Sequence, residues 1–146
     1  MSFAAAGLGL TGIGRAQQRR LRVGFLNISP PDTTGTWIRQ FNEGLREHGF
    51  EDGRNVTYES RWAGNVGALP ALGAELAALP VDVILAGNNN QIAAAQRATS
   101  TIPIVMVLGT DPVRNGFIDS YARPGRNVTG LTGDAGRVFT ARCSNC

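Results

Sequence analysis

A three-layer α/β fold built on a parallel sheet is predicted by three observations. Short apolar runs alternate with segments of helical periodicity along residues 21–131, and strands that alternate with helices require parallel pairing with right-handed crossovers. Val81–Ala86 and Ile102–Leu108 are mostly apolar, as central parallel strands are, whereas Asn55–Trp62 alternates polar and apolar residues as an edge strand does. Three of the runs end in polar turns, the pattern of loops at the carboxyl edge of an open sheet. A strand order of 2-1-3-4-5 puts the alternating strand at the edge and the apolar third strand inside. That agreement favours a flavodoxin-like layout over a barrel.

The elements follow in order. Leu21–Asn27 is the first strand, broken by Ser29-Pro30-Pro31-Asp32. The spacing of Trp37, Phe41 and Leu45 predicts a helix over 36–48, with Arg39, Glu43, Arg46 and Glu47 off the apolar stripe and Gly49 as its stop. In the second strand Val56, Tyr58 and Trp62 face one way, and Thr57, Glu59 and Arg61 the other. Leu69, Leu72, Leu76 and Leu79 mark a second helix, closed by Pro80. The third strand is 81–86, the third helix the Ala-rich segment 91–98, and the fourth strand 102–108. A fourth short helix is expected over 113–121, a turn at Pro124-Gly125, and a last strand over 127–131.

The chain of 146 residues has room for one domain with a real core. Its 42% hydrophobic and 17% charged residues are globular values. All 14 basic residues are arginine, and with abundant Ala and Gly this is the composition of a GC-rich bacterial genome. The net charge of +3 comes from Arg15, Arg19 and Arg20; the rest carries 11 arginines against 11 acids. That balance, without interleaved aromatic and basic residues, argues against a nucleic-acid partner. Residues 1–20 are apolar, small and Gly-rich, too short to span a bilayer, and similar to the hydrophobic part of an export signal with a small-residue site near Ala16. Periplasmic or exported localisation is therefore expected, with no direct membrane span, although the basic start of a signal is absent. The domain plan is a signal-like or disordered leader over 1–20, a binding lobe over 21–135 and an aberrant tail over 136–146.

Chemistry is sought at the three strand-end turns, 27–32, 87–91 and 109–112. The second turn opens a helix, where free N–H groups and the helix dipole favour carboxylate or phosphate. Asn88, Asn89 and Asn90 can hold a ligand or simply cap the helix; both roles stay open. Asp111 can hold a cationic group or bond the N–H groups of its own turn, and Ser29 carries the same ambiguity. The candidate ligand-binding set is Ser29, Asn88, Asn89, Asn90, Gln91, Thr110 and Asp111. No catalytic, metal-binding or cofactor set is expected. Gly7–Gly12 fits Gly-x-Gly-x-x-Gly by count but precedes the first strand. A phosphate loop ending in lysine is excluded, and one histidine, His48, supports no triad. Cys143 and Cys146 form a Cys-x-x-Cys without the helix start or further ligands that redox or zinc chemistry needs. Asn55–Thr57 and Asn127–Thr129 match the glycosylation sequon but fall on expected strands.

Several pieces carry a family resemblance: Gly49–Asn55, Arg61–Ala63, Leu69–Leu72, Val81–Ile84, Ser100–Val105, Asp111–Val113, Ala122–Gly125 and Asn127–Leu131. In this order and spacing, over 21–134, the chain resembles the solute-binding proteins of ABC transporters. It is most similar to the group whose characterised members bind aromatic or branched amino acids. The resemblance implies two α/β lobes with a small-molecule solute between them and an ABC permease as partner. It implies that Ser29, Asn88–Gln91 and Asp111 line the cleft from the first lobe, with the 87–91 turn holding a ligand carboxylate and Asp111 an ammonium group. Family members often carry small Gly, Thr or Ser where this chain has Asn88–Asn90, and a second Gly where it has Arg126. After Asp134 the sequence leaves the family pattern, as a frameshift or truncated gene would make it do. The alternatives are a flavodoxin-like enzyme domain that binds a nucleotide or phosphate, or an inactive fragment.

Overall fold

The computed structural model describes residues 20–134 and 137–141. The leader before residue 20, Gly7–Gly12, Cys143 and Cys146 lie outside them. The strands are β1 (Leu21–Asn27), β2 (Val56–Trp62), β3 (Val83–Ala86), β4 (Ile104–Gly109), β5 (Val128–Asp134) and β6 (Arg137–Ala141). The helices are α1 (Pro31–Glu47), α2 (Leu69–Ala78), entered through a short 3₁₀ turn, and α3 (Asn89–Ala98). One sheet runs β2-β1-β3-β4-β5-β6. Its first five strands are parallel in the predicted order 2-1-3-4-5.

Three departures have physical causes. The helix expected to start at Thr36 starts five residues earlier, because Pro31 stands at the first helical position, where a missing N–H costs nothing. No helix forms over 113–121. Gly116 takes φ +70°, and the Asn115 carboxamide donates to the carbonyls of Thr110 and Asp111, which competes with helical bonding. This helix-free crossover still closes the core, since Phe117 and Ile118 are buried against it. The lobe does not end its sheet with β5, because residues 137–141 of the expected tail add β6. Only two residues separate Asp134 from Arg137, a connection short enough only for antiparallel return, and β6 pairs antiparallel with β5.

The two faces of the sheet are filled differently. Helices α2 and α3 cover one face through Leu69, Leu76, Ile92 and Ala95, against Leu26, Ile84, Ile104, Met106 and Val128. Helix α1 covers the other. There Phe41 meets Phe25 edge-on at 6.0 Å, and Val23, Val56 and Leu85 are buried with them. Gly130 is obligatory between β4 and β5: its φ is +129°, and a Cβ there would lie 2.1 Å from the Met106 carbonyl oxygen. Since β1, β3 and β4 run parallel, their carboxyl ends open onto the same edge of the sheet.

Candidate functional site

That edge is built from the last residue of β1 and the loops after β3 and β4. Asn27 ends β1, 7% exposed. Its side-chain oxygen accepts from Ile28 N–H at 2.8 Å, from Ser29 N–H at 3.3 Å and from Gln91 Nε2 at 2.9 Å. Gln91, 2% exposed, uses its other arm as an acceptor for Asn88 N–H at 2.9 Å and for Gly87 N–H. Asn88 is the N-cap of α3, and its oxygen accepts from the N–H groups of Asn90 and Gln91 at 3.1 and 3.3 Å. This is a full capping box, and Gln91 extends it across the sheet to β1.

The β4 loop is tied to the same helix start. Asn89 Nδ2 donates to the carbonyl and the hydroxyl of Thr110, at 3.0 and 2.9 Å, and Asn89 Oδ1 accepts from Thr110 N–H at 2.9 Å. Asp111 follows with φ +44°, the one non-glycine residue in the left-handed region among the described residues. Asp tolerates that region better than most side chains. Asn115 closes the loop back onto the carbonyls of Thr110 and Asp111.

The structure therefore brings the predicted residues to one edge but gives them different tasks. Ser29, Asn88, Asn90, Thr110 and Asp111 are exposed there. Asn89 is half-buried and fastens one loop to the next. The Gln91 side chain is turned inward, with its oxygen and nitrogen both bonded within the chain. Asn27 was missing from the predicted set. An Asn at a strand end reads as a turn residue, and its partner Gln91 lies 64 positions away. Backbone N–H groups expected to be open to a ligand carboxylate at α3 are largely taken: those of Asn88, Asn90 and Gln91 all bond inside the turn.

A second concavity, an open groove of about 780 Å³, lies along α1 and the start of β2. Ile38, Phe50 and Tyr58 line it together with Arg39, Arg46 and Asp52. The Tyr58 hydroxyl donates to Asn42 Oδ1. Burial, and then the nearby Asp52 charge, raise its pKa above the usual tyrosine value. The groove extends to the amino end of β2, away from the strand-end loops. Among the described residues, no cluster of three or more His, Cys, Asp or Glu could hold a metal, and no helix is long and apolar enough to cross a membrane.

A lobe with a polar, loop-built carboxyl edge is the architecture of a ligand-binding module. The family profile described as ABC transporter substrate binding protein matches residues 30–140, and this chain belongs to that family. A tyrosine-binding protein of Clostridioides difficile (strain R20291) is 33% identical over 93 residues, which are 63% of this chain and 27% of that protein. The ligand-free, open structure of a substrate binding protein with adhesive properties from Clostridium difficile superposes with a TM-score of 0.69 at 26% identity, covering 75% of this chain and 38% of that one. A conserved domain protein from Vibrio cholerae O1 biovar El Tor str. N16961 gives 0.74 at 27% identity, covering 81% and 40%. The fold is shared with an ABC domain in complex with L-Trp from Streptococcus pneumoniae, at a TM-score of 0.70 and 22% identity, covering 77% and 38%. The chain thus spans about a quarter of the curated relative it matches.

Proposed function

We propose that the carboxyl edge of the sheet is one half of a solute site that captures a small solute such as an amino acid for delivery to an ABC permease. The observation that carries this is the convergence of Ser29, Asn88, Asn90, Thr110 and Asp111 on one edge, in a chain of the substrate-binding family. The site does no chemistry: it offers hydroxyls, carboxamides and one carboxylate, with no nucleophile–base pair among them. Asp111 faces the solute ammonium, while Asn89 and Gln91 hold the loops that present the others. Aromatic amino acids are the first ligands to try, because one relative is named as tyrosine-binding and a structure of the same fold is in complex with L-Trp. The lobe works outside the cytoplasm, consistent with a signal-like leader, and pairs with a second lobe such as the resemblance implies. A phosphate- or nucleotide-binding enzyme is disfavoured by the same geometry, since Asn88 and Gln91 occupy the N–H groups that a phosphate would need at α3.

One lobe leaves the solute wet, and polar contacts in water are weak. The chain is expected to bind L-tryptophan or L-tyrosine at millimolar level, roughly −4 kcal/mol. Calorimetry should show this weak heat for the native chain and lose it for Asp111→Asn. Micromolar binding unaffected by Asp111→Asn would defeat both the half-site and the role of Asp111.

A further inference from the structure

We propose that Asn27 touches the solute and sets its specificity, its side-chain –NH₂ being a rigid donor for a solute carboxylate oxygen. This rests on the carboxyl edge being the solute site. The identity of the two arms of the carboxamide is fixed by its partners. The arm that meets the N–H groups of Ile28, Ser29 and Gln91 must be oxygen, because a nitrogen would set donors against donors. The nitrogen is therefore the opposite arm. It has no hydrogen-bond partner among the described residues, yet no buried side-chain nitrogen or oxygen there lacks one. Nδ2 therefore keeps some solvent access although the residue as a whole is only 7% exposed, and Asn27 is the last residue of β1, at the edge where the loops meet.

Three donors on one oxygen leave the carboxamide plane little freedom. A donor held this way loses almost no side-chain entropy on binding, unlike an exposed Asn such as Asn90. Its chemistry also fits what α3 lacks. With the N–H groups of Asn88, Asn90 and Gln91 bonded inside the turn, the backbone at this helix start has little left to offer a carboxylate. Asn27 supplies a substitute donor from the neighbouring strand, and Asp111 supplies the acceptor for the ammonium. The solute class so defined is a zwitterion or a carboxamide, not a bare amine and not a phosphate. Gln91 acts through Asn27: it is a positioning residue, and its Nε2 hydrogen bond keeps the donor aimed.

The test is a nuclear magnetic resonance titration of the native chain with L-tryptophan and with tryptamine, which lacks the carboxylate. The Asn27 side-chain –NH₂ signals should shift with L-tryptophan and stay in place with tryptamine, while Asp111 responds to both. Asn27→Asp keeps the three acceptor contacts but turns the donor into an anion. It should weaken L-tryptophan by about tenfold or more, the scale of a lost hydrogen bond to a charged group, and leave tryptamine no weaker. Shifts at Thr110, Asp111 and 88–90 with an unmoved Asn27 –NH₂ would overturn the assignment and leave the solute site standing. No shift anywhere on this edge, with any of the twenty amino acids, would overturn both. Equal response of the Asn27 signals to the two probes would overturn the carboxylate role.

Discussion

The end of β1 and the end of β4 meet at one edge but are held by opposite means. At β1, Asn27 and Gln91 are buried, and each polar arm turned into the protein is bonded. At β4, Thr110 and Asp111 are exposed, and their loop is fastened by the Asn89 and Asn115 carboxamides, with a left-handed residue in its middle. The first arrangement is costly to disturb and fixes direction. The second fastens the backbone and leaves the Thr110 and Asp111 side chains facing water. An edge built this way sets one buried reference point beside one exposed arm.

The contrast is broken most severely at Gln91. Gln91→Met keeps the volume but leaves the N–H groups of Gly87 and Asn88 without their acceptor. It should cost about 2–4 kcal/mol in urea unfolding. It should also speed amide hydrogen exchange at Ile28 and Ser29, which sit across the sheet from the change. Equal exchange in the two proteins would reduce Gln91 to packing. A smaller effect is expected at the cap: Asn88→Ala removes one N-cap and should cost about 1 kcal/mol. On the exposed side two effects oppose each other. Asp111→Gly relieves a positive φ, worth about 0.5–1 kcal/mol, but also removes the aspartate's own interaction, so the net change in urea unfolding should stay within about 1 kcal/mol while binding weakens; a larger loss of stability would show that the aspartate side chain holds the loop.

The smallest effect lies away from the edge. Tyr58 has a raised pKa, mainly through burial. The folded state then holds this proton more tightly than the unfolded state does. Its contribution is fully present below the unfolded value of about 10 and is lost as pH rises from there through the folded value. Tyr58→Phe should flatten that part of the stability–pH curve, and an unchanged slope would remove Tyr58 as its source.

What was legible in the sequence was the periodic part. Alternating and continuous apolar runs located β1 to β5, their order, and α2 and α3 to within a few residues. Local competition was harder to see. Val113, Phe117 and Tyr121 imitate helical spacing, but Asn115 and Gly116 divert the backbone into turns. Proline read as a breaker at Pro31, where it starts a helix. The exposed polar residues of the candidate site were found because they crowd strand ends. Asn27 was passed over because its importance depends on a hydrogen bond between residues 64 positions apart, and no local pattern announces such a contact.

Whether solute is met at the carboxyl edge of the sheet is decided by mapping backbone chemical shifts of the native chain as L-tryptophan is added. The largest changes should fall at Asn27–Ser29, Asn88–Gln91 and Thr110–Asn115. Changes concentrated instead along Ile38, Arg39, Arg46, Phe50 and Tyr58 would place the ligand in the α1 groove and rule out the carboxyl edge as the solute site.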